Sequence, residues 1–229
     1  MPNIINTFIV NNFISHFKAK RWQLFLEWHI PQRHEVVLDL GGGDGSALAK
    51  LYPYPENIIL ASNEEDMIRS GVKKFGLKDW LLVEEDGIIP LDAGAVDVVF
   101  CNSVIEHVTV DKKDQWSMKS GARFKRLALQ RQSRFAGEII RVGRKYWVQT
   151  PYRHFPLETH TWLPLVQYLP RLLQLQIIAS CDRFWVKRTY PDFYLLSKHE
   201  ARSMFPDAEI IFEKFLGIPK SLIIRSLNS

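Results

Sequence analysis

Asp39 and three alternating glycines, Gly41, Gly43 and Gly45, are the residues whose types and spacing point most directly to binding chemistry. Glycine lets the backbone turn sharply and approach a ligand closely. The dinucleotide pattern G-x-G-x-x-G/A fits poorly because its last position falls on Ser46, and no Gly-Lys-Ser/Thr follows, as a phosphate-binding P-loop requires. A carboxylate two residues before the first glycine would repel a pyrophosphate and suits a cationic ligand or an α-amino group.

Proton-transfer chemistry is the second possibility that the residue types suggest. Three histidines, His107, His154 and His160, lie near the predicted rim of the same site, and histidine is the natural base at neutral pH. Glu158 precedes His160 by two residues, so on a loop it could orient the imidazole. For His107 the alternative is a histidine at the start of a helix that bonds to the backbone. No cluster of three or four metal ligands is visible, so no metal site is expected.

These residues need a parallel sheet to position them. Residues 36–38 are apolar and β-branched, as in a strand buried on both faces, and a helix is predicted from Ala47. A strand, a glycine loop and a helix in that order form a nucleotide-type cofactor site at the carboxyl end of the strand.

Further strands alternate with helical segments along the chain, and a hairpin with a turn at residues 217–219 closes it. Together these elements predict an α/β fold with a doubly wound, mostly parallel seven-stranded sheet, a helical insertion and an antiparallel C-terminal hairpin. The strands are predicted at residues 36–38, 57–61, 80–83, 96–101, 145–149, 209–215 and 221–224.

A single domain is expected over residues 1–229, with three segments added to the sheet. Residues 1–30 are predicted to be helical and either to pack on the sheet or to cover the cofactor. Residues 111–135 are read as a basic helical insertion. Residues 155–195 are rich in Trp, Leu and Tyr and are read as an apolar cap, with a lid or pocket for a hydrophobic acceptor as the alternative.

The pattern D-x-G-x-G-x-G at residues 39–45 resembles motif I of the class I S-adenosylmethionine-dependent methyltransferases. The resemblance runs from about residue 36 to residue 224 and is closest to the small-molecule branch called type 11. It implies that S-adenosylmethionine is the cofactor. In that family the acidic residue lies near the methionine part of the cofactor. The residues that this motif assigns to cofactor binding are Asp39, Gly41, Gly42, Gly43 and Gly45.

Three later segments resemble further cofactor-binding segments of the same family. The position of the ribose-binding acid falls on Ser62, with Asn63 next to it, which departs from the family pattern, and Glu64 is an alternative. Either Glu85 or Asp86 would accept a hydrogen bond from the adenine amine, beside Gly87. The turn after the strand at residues 96–101 would pass the methyl group. Its two cofactor residues are Asn102 and Ser103, and it ends in Ile-Glu-His-Val.

Charge is unevenly distributed along the chain. Residues 111–145 hold eleven Lys and Arg against three acids, in a chain of net charge +5. Such a segment is often only a solvated face, but it also suits an anionic membrane surface, a phosphorylated substrate or nucleic acid. Two distant cysteines and a first segment without a basic n-region favour the cytoplasm, with peripheral membrane contact as an addition.

The sequence therefore predicts an S-adenosylmethionine-dependent methyltransferase that acts on a small-molecule acceptor, with a saccharide or a lipid-linked intermediate as candidates. His160, His107 and Glu158 are the candidate catalytic residues. The first alternative is an RNA methyltransferase that uses the basic segment, although a nucleic-acid partner is disfavoured because aromatic residues are sparse there. The second alternative is a non-catalytic binding protein with the same fold, favoured only by Ser62 in the acidic position.

Overall fold

A computed structural model describes residues 20–184 and 189–227 of the chain. The part of the N-terminal prediction that covers residues 1–19 lies outside the described residues, as does Trp185 of the predicted cap. The first described element is a helix over residues 20–28, here called α1.

Seven strands form one sheet in the order β3-β2-β1-β4-β5-β7-β6. β1 to β5 are parallel, and β7 runs antiparallel to both β5 and β6. The predicted fold class is confirmed. The strands are β1 Val37–Leu40, β2 Ile58–Ser62, β3 Asp79–Leu82, β4 Val96–Asn102, β5 Gly143–Pro151, β6 Glu209–Phe215 and β7 Ile218–Arg225.

Several strand limits differ from the predicted ones. β7 begins at Ile218, three residues earlier than predicted, because Leu216 and Gly217 make the hairpin turn with φ values of 47° and 81°. β5 extends beyond both predicted ends, so Pro151 is its last residue. Pro151 pairs with Ser221 of β7, and the antiparallel partner thus keeps the end of β5 extended.

Within the described ranges, five further helices surround the sheet, and α4 is the longest of them. It is the crossover between β4 and β5, so most of the basic segment belongs to the helix layer of the sheet. Ser120 caps α4 by accepting the N–H of Arg123. The helices are α2 Ser46–Ala49, α3 Glu65–Phe75, α4 Gly121–Val142, α5 Arg171–Phe184 and α6 Lys198–Met204.

Neighbouring residues in the central strands serve opposite faces of the sheet. Val37 contributes to one apolar core and Leu38 to the other, and the same alternation holds for Trp147 and Val148. Helices α1 and α3 cover the first face, and α4 and α6 cover the second. Two covered faces explain why the strands read as continuous apolar runs.

Helix α1 packs on the sheet, which was one of the two predicted positions for the N-terminal segment. The Phe25 ring is fully buried and meets Phe100 and Trp147 edge-on, at centroid distances of 5.0 and 5.6 Å. Of the described helices, none is both long and apolar enough to span a membrane.

Candidate functional site

The glycine loop after β1 has the backbone shape that its sequence predicts. Gly41, Gly43 and Gly45 have φ values of 76°, 61° and 72°, in the left-handed region that favours glycine. Packing also requires glycine at position 41, because a Cβ there would overlap the Val104 side chain. Its N–H donates to the carbonyl oxygen of Ala61 at 2.7 Å, which joins the loop to β2.

A cavity of about 310 Å³ opens at the carboxyl ends of β1 to β4, the edge where open α/β sheets bind ligands. This volume lies within the range of small-molecule sites. Most of the predicted cofactor residues line it, together with one candidate catalytic residue: Gly41, Gly43, Ser62, Asn63, Glu85, Gly87, Ser103 and His107.

The other predicted site residues do not line this cavity. Asp39 and Gly42 lie beneath the loop, where a Cβ on Gly42 would overlap the Asp39 carboxylate. Gly45 faces the side chains of Leu60 and Leu77. Asp86 closes a turn, since its carboxylate accepts the N–H of Ile88 at 3.0 Å. Asn102, Glu158 and His160 are also outside the lining.

Asp39 is a buried carboxyl group without a full set of partners. It is 3% exposed, and its Oδ2 has no hydrogen-bond partner among the described residues. Burial, and to a smaller extent the charge of Asp44, raises the pKa of Asp39 to about 7. A positive charge bound next to the loop would favour its ionised form, so this carboxyl group fits a cationic ligand.

The cavity walls are acidic in the region where a ribose and an adenine are predicted. Ser62 ends β2, and Glu64 follows on the exposed surface at the start of α3, where it makes no capping hydrogen bond with its side chain. Glu84 lines the cavity beside Glu85. The carboxylates of Glu64 and Glu84 are therefore available to hydroxyl and amine donors, in addition to the predicted residues.

Some lining residues were missed because they come from elements that carry no cofactor motif. Met67 is on α3, and Arg131 and Phe135 are on α4. Asp192 reaches the cavity from the last part of the predicted cap, residues 155–195. Their sequence context indicates only helix or loop, so local pattern contains no signal for them.

Glu158 and His160 converge as predicted for a loop. The Glu158 carboxylate is completely buried and accepts the His160 N–H at 2.8 Å, His160 Nδ1 at 2.7 Å and the Thr161 N–H at 2.6 Å. Burial favours the protonated acid, but the hydrogen bond and charge of His160 outweigh it, so the pKa of Glu158 lies below its usual value. The carboxylate therefore fixes the orientation of the imidazole.

His107 connects this pair to the cavity. It is the last residue of a short 3-10 turn, Ile105–His107. Its Nδ1 lies 3.1 Å from Asp192 Oδ2, within ion-pair distance but without the geometry of a hydrogen bond. Burial works to lower the pKa of His107, but Asp192 and the charge of Glu106 outweigh it and raise that pKa. The His107 and His160 rings meet edge-on at 4.9 Å between centroids. The third histidine, His154, bonds to Tyr168 away from this group.

Comparison with known proteins agrees with this geometry. Residues 38–123 match the family model described as a methyltransferase domain, numbered 11 in its series. This segment is similar to a type 11 methyltransferase domain. The resemblance stated from the motifs is therefore confirmed for the segment that holds the glycine loop, β1 to β4 and the turn at His107. Among curated proteins, no match was found.

Solved structures share the fold of this protein at low sequence identity. A Pyrococcus horikoshii OT3 protein is 14% identical over 94% of this chain and 92% of its own, with a TM-score of 0.57. Magnesium protoporphyrin IX methyltransferase from Synechocystis PCC 6803, solved with bound SAH, is 16% identical over 100% and 89%, with a TM-score of 0.52. An Archaeoglobus fulgidus SAM-dependent methyltransferase is 13% identical over 92% of both chains, with a TM-score of 0.51.

Proposed function

We propose that this protein transfers the methyl group of S-adenosylmethionine to a small-molecule acceptor. The observation that carries the proposal is the cavity at the carboxyl ends of β1 to β4, which begins at a glycine loop inside a methyltransferase domain. The shared fold of the solved methyltransferases supports the same cofactor.

The residues around the cavity fit this cofactor chemically. Oδ2 of Asp39, which has no hydrogen-bond partner among the described residues, lies next to Gly42 of the glycine loop and suits the positive charge of the methionine part. Glu64 supplies a carboxylate for the ribose hydroxyls, where Ser62 replaces the acid of the family pattern. Glu84 and Glu85 are acceptors for the adenine amine. When bound, the cofactor supplies a methyl group that a positively charged sulfur activates.

The protein's own task in such a reaction is to align the acceptor with the methyl group and to exclude water. His107 lines the cavity and contacts the ring of His160. The Glu158 carboxylate is hydrogen-bonded to Nδ1 of His160 and fixes the orientation of that ring. An acceptor hydroxyl that approaches from this side would lose its proton at the histidine pair.

A lipid-linked or saccharide acceptor at a membrane surface is the acceptor class we favour. The first turns of α4 have a basic face with exposed Lys125 and Arg126, and Trp116 is exposed in the segment before the helix. The start of α5 adjoins this face, since Arg171 donates to the carbonyl oxygen of Gln115, and Leu172 next to it is 47% exposed. Basic and apolar side chains together suit an anionic membrane interface.

The two alternatives have less support. A nucleic-acid acceptor would need exposed aromatic rings among the basic residues. In the basic segment, residues 111–145, Phe124 and Phe135 are buried, so Trp116 is the one exposed aromatic residue. A purely non-catalytic role was suggested by Ser62 alone, and the carboxylate of Glu64 at the same cavity wall weakens that argument.

Calorimetric titration with S-adenosylhomocysteine tests the proposal. Gly43→Val should weaken binding by about tenfold or more, because it strains a positive φ at the cavity wall. Gly217→Val is the matched control, since it has a positive φ but lies in the β6–β7 turn with open space around it. Lack of binding by the unmodified protein, or equal loss in both variants, would contradict the proposed cofactor site.

A further inference from the structure

Three side chains that could ligate a metal ion meet beside the cavity. Glu106, His107 and His160 each offer one ligand atom, and these atoms all lie within 4.8 Å of one another. Two of the residues are adjacent in the turn after β4, and the third comes from the loop after β5. The sequence predicted no such cluster, because the loop that contains His160 is more than 50 residues further along the chain.

Glu106 is a buried carboxylate whose hydrogen bonds do not account for its position. Its side chain is inaccessible to solvent, and its Oε2 accepts the Thr150 hydroxyl at 2.9 Å. Its Oε1 has no hydrogen-bond partner among the described residues. Burying a carboxylate without a partner is costly, and buried charges are normally paired or bound to metals.

Both histidines carry the carboxylate partner that is typical of metal-bound imidazoles. Nδ1 of His160 bonds to Glu158 at 2.7 Å, and Nδ1 of His107 contacts Asp192 at 3.1 Å. In metal sites, a histidine ligand usually donates its other ring N–H to a carboxylate or carbonyl, which fixes the tautomer. Because each Nδ1 lies beside a carboxylate, Nε2 is the ring nitrogen that each histidine would offer to an ion.

We infer that Glu106, His107 and His160 bind one divalent first-row transition metal ion, such as Zn²⁺ or Fe²⁺. Two imidazoles and one carboxylate suit these ions, whereas Mg²⁺ and Ca²⁺ prefer an all-oxygen set. Bonds of about 2.1 Å to a tetrahedral ion put ligand atoms roughly 3.4 Å apart. The ligand atoms must therefore approach one another by up to about 1.4 Å, which the partly exposed His107 side chain can accommodate.

The metal site refines the proposed methyl transfer at one step, and only this step rests on the proposed function. With the ion bound, His160 is a ligand instead of a base. A hydroxyl acceptor on a remaining coordination position would then lose its proton to solvent, because the ion lowers the pKa of the hydroxyl. Metal binding itself requires neither cofactor nor acceptor.

Titration of chelator-treated protein with Co²⁺ and Zn²⁺ tests the inference. Co²⁺ should give a saturable visible absorption band at one equivalent, and Zn²⁺ should displace it. Glu106→Gln and His160→Gln should each weaken binding by about tenfold or more. Glu106→Gln keeps an acceptor for the Thr150 hydroxyl, so its melting temperature should stay close to that of the unmodified protein. His199→Gln removes an exposed histidine on α6 and should change nothing.

Absence of a saturable band, or affinity that is unchanged in both variants, would overturn the inference, because surface histidines would then explain any binding. S-adenosylhomocysteine should be titrated into the same preparations. Cofactor binding without metal binding overturns the metal site and leaves the proposed methyl transfer standing. Metal binding that depends on Glu106 and His160, without cofactor binding, supports the metal site and contradicts the proposed function.

Discussion

Oε1 of Glu158 lies 2.7 Å from Nδ1 of His160 and also accepts the backbone N–H of the same residue at 2.8 Å. The other carboxylate oxygen accepts the N–H of Thr161. One buried side chain thus fixes both the turn and the imidazole that the turn presents. The position of His160 beside His107 depends on the backbone of this turn as well as on the ring contact.

Glu158→Gln should lower the free energy of unfolding by about 1–3 kcal/mol, the usual cost of leaving a buried hydrogen-bonding group unsatisfied. Glutamine has one acceptor oxygen, so its amide nitrogen would face an N–H donor of the turn. Chemical denaturation measures the change. Glu85→Gln removes a charge from an exposed position and should shift stability by less than about 0.5 kcal/mol. Equal effects of the two substitutions would argue against the structural role of Glu158.

Asp39 should make cofactor affinity depend on pH. With a pKa of about 7 in the free protein, this carboxyl group is mostly protonated in mildly acidic solution. A cationic ligand favours the carboxylate, so binding releases a proton and affinity rises with pH until Asp39 is ionised. We expect S-adenosylmethionine affinity to increase by roughly tenfold from about pH 5.5 to about pH 7, measured by calorimetry.

Asp39→Asn separates this effect from titration of the cofactor itself. The variant should bind more weakly at neutral pH and should lose most of the pH dependence. Asp79→Asn, at an exposed position in β3, should keep the profile of the unmodified protein. A profile that is identical in Asp39→Asn and the unmodified protein would mean that another group is responsible.

The sequence predicts the sheet and the glycine loop well because both follow from local chemistry. Residues such as Val37 and Val99 belong to apolar runs that only a doubly covered strand explains. The alternating glycines at positions 41, 43 and 45 predict a sharp backbone turn, because glycine adopts positive φ values without strain. The spacing of Glu158 and His160 excludes a shared helix face, and in a loop after a strand the two side chains can converge.

The rest of the site depends on tertiary packing. Asp86 and Glu84 are neighbours in the same acidic stretch, and the turn that Asp86 makes with Ile88 decides which carboxylate lines the cavity. Arg131 is one of many basic residues on α4, and only the rotation of that helix brings it to the site. The proximity of Glu106 to His160 requires two loops to meet, which no single segment of sequence encodes.

Phe25→Ala should destabilise the protein by about 3–5 kcal/mol, because it removes a fully buried ring between α1 and the sheet. Ile30→Ala, just after the same helix and 75% exposed, should have an effect of less than about 0.5 kcal/mol. Thermal or chemical unfolding compares the two. A small effect of Phe25→Ala would mean that α1 is not part of the cooperative core.

The basic face at the start of α4 should attach the protein to anionic membranes. Flotation with vesicles that contain phosphatidylserine should recover the protein at low salt and lose it at high salt, because surface charges are screened. Each basic residue near such a surface contributes about 1 kcal/mol. Charge reversal at Lys125 and Arg126 should therefore weaken partitioning by about tenfold or more.

Charge reversal at Lys73 and Lys74 is the matched control, since both are exposed at the end of α3, and the net charge changes equally. If attachment is specific to the α4 face, this control keeps most of its binding while the α4 variant loses it. Equal loss in both variants would mean that net charge alone drives the attraction. Lack of flotation by the unmodified protein would remove the membrane argument for a lipid-linked acceptor and would leave a freely diffusing saccharide as the acceptor class to screen.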